Sequence, residues 1–452
     1  MFTSINPATG EPGATFPELT DAEVEERVAR AAEAFQEWRV SDPAARADLL
    51  RRIADRFEAE ADRLAEIATA EMGKTLKSAR AEVMKCVAGL RYYAEHGPAM
   101  LEPRRTPTAG GVAEARWQPL GPVLAVMPWN FPYWQVVRFM APTIMAGNAG
   151  LLKHASLTQG CAAAIEEMVG QAGAPAGLFQ NLAIRAGEVA GLIADERIAA
   201  VTLTGSEDAG AKVAEAAGRA LKKVVLELGG SDPFIVMPSA DLDAAAEAAV
   251  AARIQNAGQS CICAKRMIVH AHVYDGFLRR FVGRMRSVRV GDPRGDVDMG
   301  PLSSAEQRDT VLEQLERIKA AGGDLTGGEA LPGAGAFMTA GVVTGLPPEA
   351  EVAREELFGP VATVFRAADP EDAIRIANDT PFGLGSSVWT EDEAERERFA
   401  RDLEAGMVAV NRVLASSPEA PFGGIKRSGH GRELGPYGLH EFMNLKTVFL
   451  PK

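Results

Sequence analysis

A cysteine in a bend is the residue of this chain best suited to covalent chemistry. Cys261 lies within residues 256–263, between a helix-like run and a strand-like run. A structural cysteine usually lies inside an apolar run, whereas Gly258, Gln259 and Ser260 indicate a bend that presents the thiol to a cleft. The pattern alone does not exclude the alternative that Cys261 is an inert, buried structural thiol, since free cysteine is among the most buried residue types. Partner residues elsewhere must therefore decide its role.

The bend also raises the question of a metal. Cys261 and Cys263 are followed by His270 and His272, which together form a loose Cys-x-Cys and His-x-His pattern. Structural zinc sites favour longer spacings between their cysteines, and the two histidines flank a strand end. We therefore expect no metal site.

Four cysteines in so long a chain also cannot form a disulfide scaffold.

The composition is that of an ordinary globular chain. Its 452 residues suffice for two or three domains, with 47% hydrophobic and 24% charged residues. A net charge of −13 without a basic block would repel nucleic acid and anionic membranes. No apolar run reaches the ~18 residues of a membrane span, and the first residues lack a secretory leader. We expect a cytoplasmic protein with neither nucleic acid nor membrane as partner.

Strands and helices alternate around the bend. Residues 121–228 alternate short apolar strands with helices, which favours a parallel sheet covered on both faces. A second α/β series begins after Gly229 and Gly230. The first series has the outline of a dinucleotide-binding domain, yet the sequence contains no Gly-x-Gly-x-x-Gly fingerprint.

Helices precede the first series. A capping box at Thr20 and Glu23 predicts a helix beginning near Asp21, and amphipathic helix follows over residues 44–72. Residues 106–117 predict a hairpin that projects outward. The strand-like tail, residues 444–450, is expected to pair with this hairpin or with another subunit's sheet.

Six motifs in fixed order resemble the aldehyde dehydrogenase superfamily. They are Pro-Trp-Asn-Phe-Pro (128–132), Leu-Thr-Gly-Ser (203–206), Leu-Glu-Leu-Gly-Gly (226–230), Gly-Gln-Ser-Cys (258–261), Glu-Glu-Leu-Phe-Gly-Pro (355–360) and Pro-Phe-Gly-Gly (421–424). The resemblance runs from Ile5 to the C-terminus. It is strongest to the succinate-semialdehyde dehydrogenase branch in its short form.

The resemblance implies an α/β fold with three parts. These are a Rossmann-type cofactor domain (1–104 and 121–228), an α/β catalytic domain (229–430) and a small β oligomerisation arm with a tail (105–120 and 431–452). Such an arm implies a homodimer or a homotetramer.

The resemblance also assigns a catalytic set. Cys261 matches the nucleophile that attacks an aldehyde carbonyl, and Asn130 with the Cys261 N–H matches the oxyanion hole. Glu227 matches the general base for hydrolysis of the thioester. A glutamate that ends an apolar run is difficult to bury for structure alone. The chemistry implied is oxidation of an aldehyde to a carboxylate, through a thiohemiacetal and a thioester, with hydride transfer to NAD(P).

A further set matches the cofactor site. Its members are Trp129, Lys153, Ser156, Gly205, Ser206, Glu356 and Phe358. Free N–H groups after residue 204 would receive the pyrophosphate, which explains the absent fingerprint. Ser156 stands where many NAD-preferring members have a glutamate that would repel a 2′-phosphate, while Lys153 attracts one. We therefore expect NADP as the preferred cofactor, with NAD possible.

Substrate recognition depends on fewer residues. Arg138 matches an arginine that holds the distal carboxylate of succinic semialdehyde, with a charge on the helix surface as the alternative. Ser416 and Ser417 match a serine of the substrate loop. A second arginine of some members is Gln255 here, which leaves one cationic anchor. Cys263 permits a regulatory disulfide with Cys261, or is a passive small residue.

Other functions remain open at this point. The chain could oxidise another semialdehyde or a neutral aldehyde, or transfer the acyl group to CoA, although Glu227 favours hydrolysis. A noncatalytic binding protein on the same fold is a different class, and it would be expected to lack Cys261, Glu227 or Asn130.

Overall fold

The computed structural model describes residues 1–451. The helices in this part of the chain are α1 (Asp21–Trp38), α2 (Pro43–Ala59), α3 (Ala61–Met72), α4 (Leu76–Met100), α5 (Trp134–Ala146), α6 (Gln159–Gln171), α7 (Val189–Ala194), α8 (Glu207–Arg219), α9 (Leu242–Ile254), α10 (Tyr274–Arg286), α11 (Ala305–Ala320), α12 (Pro370–Asn378), α13 (Glu393–Asp402) and α14 (Gly435–His440).

The strands form four sheets. They are β1 (Phe2–Ile5), β2 (Pro12–Phe16), β3 (Arg104–Thr108), β4 (Gly111–Pro119), β5 (Val123–Met127), β6 (Gly150–His154), β7 (Phe179–Asn181), β8 (Ala200–Thr204), β9 (Lys223–Glu227), β10 (Asp232–Val236), β11 (Ala264–His270), β12 (Asp324–Gly327), β13 (Gly341–Thr344), β14 (Val361–Ala367), β15 (Gly385–Trp389), β16 (Met407–Val410), β17 (Gly429–His430) and β18 (Met443–Pro451).

The first large sheet has the strand order β17-β9-β8-β5-β6-β7. Its strands from β9 to β7 are parallel, and only β17 pairs antiparallel, against β9. Residues of these strands are buried almost throughout, because helices cover both faces. The α/β fold expected from the alternating pattern is therefore confirmed.

The second large sheet has the order β12-β13-β14-β11-β10-β15-β16. Alternate residues of its strands face opposite sides, so Ile235 and Ile268 belong to one apolar core and Phe234 and Met267 to another. Only β12 is antiparallel to its neighbour. The chain passes from the first sheet to the second through Gly229 and Gly230, directly after β9.

The predicted hairpin is present as β3 and β4, and the tail strand β18 pairs with β4 along its whole length. Of the two expected partners for the tail, the hairpin of the same chain is the one found. β18 lies at the edge of this small sheet and exposes Leu445 and Phe449. Before the tail, α14 packs against α4 and α5, and Leu434 and Leu439 join the core of the first sheet.

The N-terminal region differs from its prediction in two ways. The capping box at Thr20 begins α1 at Asp21 as expected. The single helix expected over residues 44–72 is instead two helices, separated at Glu60, whose φ of −102° and ψ of 13° leave helical geometry. No Gly or Pro announces this break, which lets both α2 and α3 pack on α4. The pair β1 and β2 was not predicted.

Candidate active site

The motif residues meet at one edge of the first sheet. Strand β5 ends at Met127, three residues before Asn130, and β8 ends at Thr204, directly before Gly205. Strand β9 ends with Glu227 itself. Because parallel strands share a direction, their carboxyl ends lie side by side, which is where open α/β sheets bind ligands.

A cleft of about 320 Å³ opens at this edge. It is lined by the first sheet and the loops after its strands, by α5 and α11, and by the segments that precede β11 and β14. The lining residues are Pro128, Trp129, Asn130, Gln135, Thr204, Gly205, Ser206, Glu227, Leu228, Gly229, Cys261, Gln307, Thr310, Gln314, Glu356 and Phe358. The structure thus brings all three predicted catalytic residues to one cavity, together with five of the seven predicted cofactor residues.

Unusual backbone places the cysteine at the cleft. Asn256, Ala257 and Gly258 follow one another with φ values of 53°, 54° and 75°, in the left-handed region. A side chain on Gly258 would overlap the carbonyl oxygen of Gly359, so this position accepts only glycine. Left-handed non-glycine residues cost about 1–3 kcal/mol each and persist where the surroundings fix them. The bend predicted from the sequence is therefore a strained turn.

Cys261 is half-buried and faces the cleft. Burial raises the pKa of its thiol to about 12, against the opposing charges of Arg138 and Lys265. Lys265 also fixes the turn, because its Nζ donates to the carbonyl oxygens of Ser260 and Cys261 at 2.8 Å each. In this state the thiol is protonated at neutral pH, so a proton acceptor must act before it can attack.

Asn130 is held from two sides. Its Nδ2 donates to the carbonyl oxygen of Gln259 at 3.1 Å, and Asn256 Nδ2 donates to the carbonyl oxygen of Asn130 at 2.8 Å. One Nδ2 hydrogen is used in the first of these bonds and the second has no acceptor among the described residues. A fixed amide with one free N–H beside a nucleophile is what an oxyanion hole requires.

Glu227 is a buried carboxylate without hydrogen bonds. The residue is 2% exposed, and within the described chain neither carboxylate oxygen has a partner. Burial raises its pKa well above the usual value, and Glu433 adds to the effect while Arg138 and Arg432 oppose it. A carboxyl group with a raised pKa is suited to exchange protons near neutral pH.

Arg138 is not a surface charge. It is 3% exposed, ion-paired through Nε with Glu433, and stacked on Phe422 with its guanidinium carbon 4.4 Å from the ring centroid. Its Nη2 donates to Thr204 Oγ1 at 3.4 Å. The alternative of a charge on the helix surface is thereby wrong, and the guanidinium lies between Glu433 and the cleft residue Thr204.

The cofactor residues occupy the other side of the cleft. Trp129 and Phe358 meet edge to face with ring centroids 5.7 Å apart. Glu356 accepts from the Gly230 N–H at 3.1 Å and pairs with Lys265 Nζ at 3.1 Å. A Cβ on Gly229 would press on the Glu356 carboxylate, so glycine keeps this wall open.

The anion-binding side has matching features. Lys153 is buried at the end of β6, and no carboxylate of residues 1–451 lies within 4.0 Å of its ammonium group. Ser206 caps α8 through the Ala209 N–H, and Ser156 is exposed two residues beyond β6. Lys153 and the N-terminus of α8 both lie at the carboxyl edge of the first sheet. A buried cation without a carboxylate partner and a helix N-terminus at one sheet edge fit a phosphorylated dinucleotide.

The two candidate substrate serines have different partners. Ser416 Oγ accepts from Lys85 Nζ at 2.7 Å and from Trp134 Nε1 at 3.0 Å. Ser417 Oγ instead contacts the carboxylate of Glu419.

Cys263 is buried, and its thiol donates to the Gln255 carbonyl oxygen at 3.5 Å. Its pairing with Cys261 stays a prediction.

Two charged residues of the site were missed in the sequence. Lys265 lies in a fully buried strand, β11, and Glu433 lies in a glycine-rich segment before α14. A charged residue inside a seven-residue buried strand was a usable signal for Lys265. No signal pointed from Glu433 to Arg138, which is nearly three hundred positions away.

In the part of the chain that the structure describes, no group of three or more His, Cys, Asp or Glu side chains could hold a metal ion.

The geometry is that of a thiol-dependent dehydrogenase, and comparison with known proteins identifies the class. The model of the aldehyde dehydrogenase family matches residues 1–448. The chain therefore belongs to the aldehyde dehydrogenase family.

Individual relatives cover the whole chain. The chain is 52% identical over 454 residues to succinate-semialdehyde dehydrogenase [NADP(+)] 1 of Mycobacterium tuberculosis, with 99% of each chain covered. It is also 52% identical to succinate-semialdehyde dehydrogenase [NADP(+)] of Mycolicibacterium paratuberculosis, covering 99% of this chain and 96% of the relative. The crystal structure of succinic semialdehyde dehydrogenase from Streptococcus pyogenes with NADP+ superposes with a TM-score of 0.98, at 38% identity and full coverage of both chains.

Proposed function

We propose that this protein oxidises succinic semialdehyde to succinate with NADP as its preferred cofactor. The observation that carries the proposal is the meeting of Cys261, Asn130 and Glu227 in one cleft, with Lys153, which has no carboxylate partner among the described residues, near the carboxyl end of the neighbouring strand β6. The names of the mycobacterial relatives support both the substrate and the cofactor.

Cys261 is the proposed nucleophile. Once the thiol proton has passed to solvent water, the sulfur forms a bond to the aldehyde carbon, and the electron pair of the C=O double bond moves to oxygen. The free Nδ2 hydrogen of Asn130 and the Cys261 N–H then stabilise the alkoxide. One such donor is worth about 3 kcal/mol of barrier. The strained turn at residues 256–258 holds both donors and the sulfur in fixed relative positions.

A bound nicotinamide cofactor would supply the acceptor for the hydride that leaves this carbon. Trp129 and Phe358 would flank its ring, Glu356 its ribose, and Gly205 with Ser206 its pyrophosphate at the start of α8. Lys153 and Ser156 would meet the 2′-phosphate, since Ser156 brings no negative charge and Lys153 lacks a carboxylate partner.

Glu227 is proposed to complete the cycle. Its ionised carboxylate takes a proton from a water molecule, whose oxygen attacks the thioester carbon. The C–S bond then breaks and returns the thiolate of Cys261. Because Glu227 must be ionised for this step and its pKa is raised, hydrolysis should accelerate as pH rises through that pKa.

The assembly and location belong to the same proposal. β18 leaves a sheet edge and the apolar side chains of Leu445 and Phe449 exposed, which supports a homodimer or homotetramer formed through the arm. In residues 1–451 no helix has both the length and the apolar character needed to cross a membrane. We propose a cytoplasmic location, in keeping with four unpaired cysteines.

The experiment is a panel of aldehydes assayed with NAD and NADP by absorbance at 340 nm. Succinic semialdehyde with NADP should give the highest kcat/KM, well above butanal, which has the same chain length and no carboxylate. Arg138→Ala should raise KM for succinic semialdehyde more than for butanal. A higher kcat/KM for butanal, or a clear preference for NAD, would contradict the respective part of the proposal.

A further inference from the structure

A lysine outside the family motifs lies beside the proposed substrate loop. Lys85, on α4, donates from Nζ to Ser416 Oγ at 2.7 Å, and the same Nζ lies 4.6 Å from the centroid of the Trp134 ring. Trp134 Nε1 donates to the same oxygen at 3.0 Å. Gly89, one turn after Lys85, leaves room for the indole, because a Cβ there would lie 2.9 Å from Trp134 Cζ3.

This cluster has hydrogen-bond donors that are not used within the protein. Ser416 Oγ accepts from both Lys85 and Trp134, and within residues 1–451 its own O–H has no acceptor. The ammonium of Lys85 has one of its three N–H groups in use and two free. Converging donors without an acceptor, half-buried around a cation, are the features of an anion site.

No carboxylate of the described residues neutralises Lys85. Glu82, one turn earlier on α4, is the nearest acidic position on this helix, and its carboxylate is already engaged. It pairs with the buried Lys74 and accepts from the N–H groups of Tyr133 and Trp134 at the start of α5. Lys85 therefore has a charge for which the chain provides no counterion within 4.0 Å.

The other cation of the region is differently placed. Trp134 and Arg138 are four residues apart and thus on the same face of α5, and Gln135, next to Trp134, lines the cleft. The guanidinium of Arg138 is paired with Glu433 through Nε, which offsets part of its charge. Lys85, in contrast, has no carboxylate partner among the described residues.

We infer that Lys85 binds the distal carboxylate of the substrate, together with the Ser416 hydroxyl, and so determines the preference for a semialdehyde acid over a neutral aldehyde. This inference depends on the proposed function. It assigns the second cationic anchor that Gln255 does not provide. Arg138 is then the first anchor and Lys85 the second.

The charge state of Lys85 is compatible with this role. Burial lowers its pKa to about 8, and the nearby charge of Arg138 adds to the effect. The ammonium is therefore protonated at neutral pH, although it is poorly solvated, and a bound carboxylate would stabilise it.

The test compares three variants on succinic semialdehyde and butanal. Lys85→Met removes the charge and keeps the length of the side chain, and Lys85→Arg keeps the charge. Lys77→Met is the matched control, since Lys77 is exposed on the same helix. Loss of a charged hydrogen bond should lower the ratio of kcat/KM for succinic semialdehyde to that for butanal about 10- to 100-fold in Lys85→Met. Lys85→Arg should restore most of the ratio, and Lys77→Met should not change it.

The outcomes separate this inference from the proposed function. If the wild-type protein shows no preference for succinic semialdehyde, the proposed function fails. If the wild-type protein has the preference and Lys85→Met keeps it while remaining folded by thermal melting, the assignment of Lys85 fails. A Lys85→Met protein that loses both activities equally also contradicts the assignment, because a carboxylate anchor acts on one substrate only.

Discussion

The reaction end and the proposed tail end of the substrate site satisfy their polar groups in opposite ways. At the reaction end, formed by Cys261, Asn130 and Glu227, the Glu227 carboxylate and the Asn130 Oδ1 are buried without partners among the described residues, and one Nδ2 hydrogen of Asn130 is unused. At the proposed tail end, formed by Lys85, Trp134 and Ser416, hydrogen bonds fix each side chain, while two N–H groups of Lys85 and the O–H of Ser416 have no acceptor among the described residues. The reaction end thus stores unfavourable desolvation, whereas the tail end is organised to receive one anion.

This difference separates rate from selectivity. A buried, unpartnered carboxylate is destabilising, and it is retained where its proton affinity is used. A fixed cation contributes mainly to the affinity for a charged group. Changes at the reaction end should therefore lower turnover for every aldehyde, and changes at the tail end should alter the choice among aldehydes.

The largest expected effect comes from the nucleophile. Cys261→Ala should lower kcat for both succinic semialdehyde and butanal by roughly 10⁴-fold or more, since no other thiol lines the cleft among the described residues. Steady-state assays at 340 nm measure it. Equal loss on both substrates is part of the expectation, and residual turnover near the wild-type level would remove Cys261 from the mechanism.

Glu227→Gln should lose activity and gain stability at the same time. Steady-state kcat should fall about 10²- to 10⁴-fold, while the first turnover still releases one equivalent of NADPH. The folded-state pKa of Glu227 lies above its usual value of 4.5, so the folded wild-type protein is destabilised as pH rises above 4.5 and the group ionises. Glutamine stays neutral, and the variant's melting temperature should exceed that of the wild type at pH 7. A lower melting temperature there would mean that the carboxylate has a partner.

Asn130→Ala should have a smaller effect, of about 10²- to 10³-fold in kcat, or ~3–4 kcal/mol. The loss should again be equal for the charged and the neutral aldehyde, because the amide faces the carbonyl oxygen. Stopped-flow measurement of the first turnover isolates the step. An effect on KM alone would place Asn130 in binding.

The smallest effect is a pH dependence at the tail end. Lys85 is charged below its pKa of about 8 and neutral above it; Arg138 on α5 and Glu82 and Cys86 on α4 are the ionisable groups that influence it. The ratio of kcat/KM for succinic semialdehyde to that for butanal should be constant below pH 8 and fall above it, by at most about tenfold per pH unit. The ratio cancels the ionisation of Cys261 and Glu227, which both substrates share. A ratio that stays flat to pH 10 would exclude Lys85.

The sequence predicted those features that short segments encode. The motifs around Asn130 and Cys261, the alternation of strands and helices, and the capping box at Thr20 are each local. The fold and the family followed from them and are confirmed.

Contacts between distant segments could not be predicted. Arg138 and Glu433, or Lys85 and Ser416, become neighbours only through tertiary folding. The burial of Arg138 could not be predicted either. An arginine on a helix is usually exposed, and only the tertiary structure shows that Glu433 and Phe422 cover this one. The break at Glu60 is also set by packing on α4, with no helix-breaking residue to mark it.

The pairing of β4 with β18 joins an early segment to the last strand of the chain. During synthesis, the hairpin therefore lacks its pairing strand until residues 443–451 have been translated. Ser416 and Glu433 are likewise synthesised long after the helices that they contact. A nascent chain can fold much of its first sheet early. It cannot complete the arm or the proposed substrate site until residues 416–451 have been translated, so assembly and activity should begin together.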